Sequence, residues 1–166
     1  MGKEKIICLT FLFAAFSTFA QSDYDKKLKS LYRNTVPIIQ PTEVKALMAK
    51  GEKITIVDTR APEEFKVSHL EGARFLDYGS YTTDDLKKIP SNTKVIVYCS
   101  VGYRSERVGE KLLKLGYKNV FNIYGGIFEW KNEGQAVVNK QNQPTDSVHT
   151  YNKNWSKWLV KGVKVY

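Results

Sequence analysis

The chain has 166 residues, enough for one ordinary domain and too few for two full-sized ones. Its hydrophobic and charged fractions, 42% and 26%, are those of a globular protein and exclude a largely disordered, collagen-like or multi-span membrane chain. Two cysteines are too few for a disulfide-stapled miniprotein, and a net charge of +9 permits anionic partners without naming one.

Lys3 and Lys5 precede an apolar run over residues 6–16, and Ser17, Thr18, Phe19 and Ala20 then place small side chains where a signal peptidase reads. Residues 1–20 are expected to be a secretory signal peptide cleaved after Ala20, which makes the protein periplasmic or secreted. The run falls short of the roughly 20 residues a bilayer crossing needs, so no membrane span is expected in the mature chain. Cys8 lacks the small preceding residue of a lipidated cysteine. Removing 20 of the 166 residues leaves 146, a net charge of +8 and one cysteine, Cys99. A lone thiol in an oxidising compartment has no intramolecular partner, so it is either a buried structural group or a reactive one.

Residues 21–35 are expected to be an N-terminal helical segment, with Leu28 and Leu31 set among charges over residues 23–33. Residues 36–39 suit a short edge strand, since Pro37 lacks the donor an inner strand needs. Pro41, Thr42 and Glu43 open a helix with Val44, Leu47 and Met48 on one face and Gly51 as its stop. Residues 54–58 form a β-branched strand ending in Asp58, followed by a brief helix through Pro62, Glu63, Glu64 and Phe65. A strand over 73–76 and a polar helix over 83–89 come next. The run 94–98 is the clearest buried strand, because a near-continuous β-branched stretch suits a strand covered on both faces. From Arg104 the pattern is helical through Val108, Leu112, Leu113 and Leu115, with Gly116 as terminator. A strand over 120–123 precedes Gly125 and Gly126, which turn the chain into a helix holding Ile127, Phe128 and Trp130.

Strands separated by helices predict an α/β fold with a mostly parallel central sheet flanked by helices, over residues 36–138. Residues 139–147 are polar and contain Pro144, and read as a loop. The rest of segment 139–166 carries Tyr151, Trp155, Trp158 and Leu159, side chains large enough to dock this tail on the domain. Its lysines are a solvated face, and no nucleic-acid partner is expected of an exported chain.

Ligands of such sheets sit beyond the carboxyl ends of the strands, where Asp58 and Cys99 fall. The loop Cys99, Ser100, Val101, Gly102, Tyr103, Arg104 joins a buried strand to a helix. A tight loop there turns backbone N–H groups inward, and the helix start adds partial positive charge, so the concavity favours an anion and stabilises a cysteine thiolate. Gly102 supplies the backbone freedom of the turn. Arg104 is either a fixed charge at the rim or the partner of an acid that holds the loop in shape. Asp58 and Arg60 lie two apart at a strand end and are placed to pair beside the loop, with donor binding by Arg60 as the other role. His69 and His149 have no ligand-like neighbours, so no metal site is expected.

The loop resembles that of the rhodanese family of sulfurtransferases, in which a cysteine begins a six-residue loop between a central strand and a helix. Ile56, Val57, Asp58, Thr59 and Arg60 with Glu64 and Phe65 resemble the family's acid-x-arginine segment. His69, Leu70, Glu71, Gly72 and Ala73 resemble its histidine-containing turn, with Ser68 where glycine is frequent. Gly125, Gly126 and Trp130 resemble its closing segment. The resemblance covers about 36–134 and implies the family's three-layer fold. It also implies sulfane-sulfur transfer from a small anionic donor, thiosulfate or a polysulfide, to a thiol or cyanide through a Cys99 persulfide, with no cofactor. The amides of Ser100 to Arg104 would cradle the sulfur, and a protein thiol is a possible partner. Six positions suit sulfur, whereas related phosphatases have a loop one residue longer, which makes an arsenate- or phosphate-directed relative a minor alternative. A second reading is a non-catalytic module in which Cys99 is oxidised or forms a mixed disulfide with a partner.

Overall fold

A computed structural model describes residues 23–166; the expected signal peptide, 1–20, lies outside the described residues. The chain divides into two units, Met1–Leu31 and Tyr32–Tyr166. Of the first, residues 23–31 are described and form helix α1, with Lys26 and Asp23 paired one turn apart at 3.3 Å.

The second unit is built on a five-stranded parallel sheet in the order β1-β5-β4-β2-β3. Its strands are β1 (Ile38–Ile39), β2 (Ile54–Asp58), β3 (Arg74–Phe75), β4 (Lys94–Tyr98) and β5 (Val120–Ile123). Strand β4 is central, and Val95, Ile96, Val97 and Tyr98 are all fully buried, as its unbroken apolar run requires. Its register with β2 runs from Ile54 against Lys94 to Asp58 against Tyr98. Strand β1 is an edge, where Pro37 keeps a use for its carbonyl by accepting from the N–H of Asn122 at 2.8 Å.

The connecting helices are α2 (Pro41–Ala49), α3 (Pro62–Val67), α4 (Thr83–Lys87), α5 (Tyr103–Lys114) and α6 (Gly126–Asn132). On one face of the sheet Val57, Val95, Val97 and Val120 pack with Leu86 and Ile89 of the α4 segment and Val108 and Leu112 of α5. Alternation along the strands turns Ile56, Ile96 and Tyr98 to the other face. After β2 the chain moves outward to the β3 edge, and after β4 it moves the opposite way to β5. The carboxyl ends of β2 and β4 therefore flank a topological switch point, where a crevice opens. No helix among the described residues is long and apolar enough to cross a membrane.

Residues beyond α6 form more structure than a loop. Strand β6 (Val137–Val138) pairs antiparallel with β7 (Pro144–Thr145), and β8 (Ser147–His149) pairs parallel with β9 (Val163–Val165), the short helix α7 (Lys153–Ser156) lying between them in sequence. Strands of two or three residues are too short to show periodicity, which is why 139–147 reads as loop. Val148 and Leu159 are fully buried. The side-chain amide of Asn132 donates to the Trp158 carbonyl at 2.9 Å, and Lys131 pairs with Asp146 at 2.6 Å.

Candidate active site

Cys99 follows the last residue of β4 directly and is 1% exposed; it is a free cysteine. The next three residues turn the chain into α5, whose N-cap is Gly102 at φ +95°, a left-handed conformation that favours glycine. The Gly102 N–H donates to Cys99 Sγ at 3.2 Å.

The carbonyls of the first four loop residues each have a donor outside the loop. The Cys99 and Ser100 carbonyls accept from the N–H groups of Ile127 and Phe128 on α6, at 2.9 and 3.2 Å. That of Val101 accepts from the Tyr32 hydroxyl at 2.7 Å, and that of Gly102 from the Asn122 side-chain amide at 2.9 Å. In a trans peptide the C=O and N–H point in opposite directions. Each of the amides that follow, of Ser100, Val101, Gly102 and Tyr103, therefore points away from the donor that holds the preceding carbonyl, and that of Gly102 points at the sulfur. The first turn of a twelve-residue helix begins there as well, adding to the preference for negative charge.

Two further devices fix this arrangement. At Gly126, φ is +58° and an added Cβ would land on the Cys99 carbonyl oxygen, so only glycine lets α6 approach the loop this closely. Tyr32 rests on Gly102, and its hydroxyl also accepts from the Gly125 N–H at 2.9 Å. Burial above all, with a contribution from nearby Cys99, pushes the Tyr32 hydroxyl well above its ordinary pKa, so it stays a neutral bridge.

Arg104 takes the pairing role. Its guanidinium donates to both Glu64 carboxylate oxygens at 2.7 Å and to Ser100 Oγ at 3.0 Å, while Ser100 Oγ donates to Glu64 at 2.7 Å. Glu64, 1% exposed, also accepts from the Ala61 N–H at 3.0 Å. Burial opposes its charge, but the hydrogen bonds and charge of Arg104, with Arg60 nearby, hold the carboxyl down at about 2. Glu64 thus belongs to the site as the buried anchor of the loop rather than as a solvated residue.

Asp58 and Arg60 pair with each other at the end of β2, both fully buried. Arg60 reaches Asp58 through Nε at 3.0 Å and Nη2 at 2.7 Å, and Nη2 also donates to the Ser68 carbonyl. Full burial gives Arg60 the structural role and takes its side chain out of reach of a dissolved donor. His69 is a hydrogen-bonded turn residue. Its Nδ1 lies 3.0 Å from the Phe65 carbonyl, and its ring stacks on Phe65 at 3.9 Å. Among the described residues no group of three or more His, Cys, Asp or Glu side chains is gathered as a metal site would require.

The sequence reading missed Tyr32, Asn122 and Ser105. Asn122 is fully buried in β5, where Oδ1 accepts from the Ser105 hydroxyl at 2.7 Å. A polar residue inside the run Val120, Phe121, Asn122, Ile123 was the available signal, since buried amides need partners. Tyr32 carries no local signal, because its partners lie 69 and 93 positions away.

A family model described as the rhodanese-like domain matches residues 40–133, more than half of the chain, leaving Tyr32 and the segment beyond α6 outside the match. The probable adenylyltransferase/sulfurtransferase MoeZ of Mycobacterium tuberculosis is 28% identical over 98 residues, 58% of this chain and 25% of that protein. The tRNA uridine(34) hydroxylase of Bdellovibrio bacteriovorus is 30% identical over 101 residues, 57% of this chain and 28% of that protein. The chain thus spans about a quarter of the length of these curated relatives. The crystal structure of a rhodanese-like domain protein from Staphylococcus aureus superposes with a TM-score of 0.56 at 27% identity, covering 63% of this chain and 98% of that one.

Proposed function

This chain belongs to the rhodanese-like domain family, and we propose that it is a sulfurtransferase in which Cys99 carries the moving sulfur as a persulfide. In the first step the Cys99 thiolate attacks the outer sulfur of a sulfane donor. A sulfur–sulfur bond forms at Cys99, the donor's own bond to that sulfur breaks, and the remainder leaves with the electron pair. In the second step a thiol or cyanide takes the outer sulfur and returns Cys99 as thiolate. The loop amides act as an oxyanion hole does, placed beforehand where negative charge rests on the thiolate and then on the terminal sulfur. The positions involved are Ser100, Val101, Gly102, Tyr103 and Arg104, with Ser100 and Arg104 both held by Glu64.

The observation that carries this reading is the anchoring of the Cys99, Ser100, Val101 and Gly102 carbonyls by donors outside the loop together with the Gly102 N–H on Cys99 Sγ at 3.2 Å. A merely buried structural thiol does not need a wall of amides. Export, with cleavage after Ala20, is part of the proposal and is checked by N-terminal sequencing of the secreted or periplasmic product. The function is tested by incubating the purified protein with polysulfide and weighing it. A gain of one sulfur's mass at Cys99, absent from Cys99→Ser, is expected. No gain, or the same gain in the variant, leaves the non-catalytic module as the better account.

A further inference from the structure

Beyond the residues matched by the family model, the chain folds back on itself into a basic and aromatic knob. Residues 147–166 hold four lysines, Lys153, Lys157, Lys161 and Lys164, and no aspartate or glutamate. All four are exposed, and among the described residues none is paired with an acid. Of the seven large apolar or aromatic side chains exposed among the described residues, four lie here as well: Tyr151, Val160, Val163 and Tyr166, with Val160 67% exposed. Singly scattered side chains of this kind are ordinary, but gathered together they mark a contact surface.

The knob is held in place, so these side chains do not hang from a loose tail. Val148 and Leu159 are fully buried, and the Asn132 side chain, which donates to the Trp158 carbonyl, also accepts from the N–H groups of Val160 and Lys161 at 2.7 and 3.2 Å. The Thr150 N–H donates to the Val165 carbonyl at 2.8 Å, and the Tyr166 hydroxyl donates to Ser156 Oγ at 3.3 Å. The turn after β8, helix α7 and strand β9 are therefore neighbours. At Gly162, φ is +101° and an added Cβ would fall 2.7 Å from the Asp146 carbonyl oxygen, so glycine is what lets β9 begin so close to the chain before β8. Tyr151 joins the knob to the candidate site, its ring 5.6 Å from the Arg104 guanidinium.

Four ammonium groups without acidic partners favour a surface dense in negative charge. A soluble polyanion, nucleic acid or acidic peptide, would meet the lysines but leave Val160 and Val163 in water. The headgroup layer of an anionic bilayer meets both needs. Its phosphates face the lysines, and its boundary with the acyl chains accepts valine side chains and the amphipathic rings of tyrosine and tryptophan. Trp155 and Trp158, which are partly exposed, stand between the lysines in sequence. Since no helix among the described residues can cross a membrane, the contact is peripheral. We propose that the knob formed by residues 147–166 binds the surface of an anionic membrane. This inference stands apart from the sulfurtransferase reading of Cys99.

The test measures co-sedimentation of the mature chain, beginning at Gln21, with vesicles of phosphatidylglycerol and phosphatidylcholine in equal parts and with vesicles of phosphatidylcholine alone. Binding to the first is expected to be tighter by about tenfold or more and to weaken as salt is added. Lys157→Gln combined with Lys164→Gln weakens it about twentyfold, since each lysine near a charged surface contributes about fivefold. Lys45→Gln combined with Lys50→Gln, two exposed positions on and just after α2, lowers the net charge equally and changes binding by no more than about twofold. Val160→Ser combined with Val163→Ser weakens binding about three- to tenfold. In the unsubstituted protein, vesicles with brominated acyl chains quench tryptophan emission, which contact with charge alone would not do. No preference for anionic vesicles, equal losses in the two lysine pairs, no loss in the valine pair, or no quenching overturns the proposal. Binding to polyglutamate or a single-stranded oligonucleotide as tight, per negative charge, as to the vesicles also overturns it and assigns the knob to a soluble polyanion.

Discussion

Glu64→Gln removes the buried charge on which the Cys99 loop hangs while keeping the size of the side chain. The carboxylate meets two Arg104 nitrogens, both at 2.7 Å, Ser100 Oγ and the Ala61 N–H. Its pKa falls from an ordinary 4.5 to about 2, a displacement that corresponds to about 3 kcal/mol of folding stability at pH 7. Removing one partner of a buried pair costs about 3–5 kcal/mol by comparison with other proteins, so the two routes agree. Because the folded value is depressed, the stabilisation is fully present above pH 4.5 and is lost as the pH falls toward 2. Urea unfolding of both proteins from pH 7 to pH 3 measures this directly. The gap between them should be about 3 kcal/mol at pH 7 and about 1.5 kcal/mol at pH 3. A gap that stays constant with pH, or one below about 1 kcal/mol at pH 7, refutes the reasoning and makes Glu64 an ordinary surface-type acid.

The other anchors can be removed one at a time. Tyr32→Phe leaves the Val101 carbonyl and Gly125 N–H without their shared hydroxyl and should cost about 1–3 kcal/mol in chemical unfolding, with a slower single-turnover loading of Cys99 at temperatures where the variant is fully folded. Gly126→Ala drives a methyl group into the Cys99 carbonyl at φ +58° and should destabilise by about 3 kcal/mol or more. Gly116→Ala is its control, since the helix end there has φ +93° but open space around it, and should cost only about 1 kcal/mol. Equal losses in the two glycine variants would show that the close approach of α6 is unimportant.

Strands β2, β4 and β5 were legible to the residue, because β-branched runs bounded by polar residues leave little freedom in where a buried strand begins and ends. Strand β3 was expected over four residues and keeps only Arg74–Phe75; both are exposed, so no buried face fixes its ends. In α5, Leu115 shares the predicted apolar stripe yet is 40% exposed, because the helix ends before it and the chain turns away at Gly116. The Cys99 loop stood out in the sequence because its residues are contiguous from Cys99 to Arg104. What holds the loop was only partly so. Arg104 could be read as needing an acid, but that Glu64 supplies it depends on a contact 40 positions away. Tyr32 and Tyr151 lie outside the segment that the family model matches, and long-range contacts of this kind leave no periodic trace in one sequence.

The central claim is that Cys99 holds a transferable sulfur. The direct measurement loads the protein with hydrogen disulfide, removes excess donor by gel filtration, adds cyanide and counts thiocyanate released per protein chain. The account predicts close to one thiocyanate per chain and none from Cys99→Ser. Thiocyanate absent from the native protein, or present equally in the variant, would contradict it.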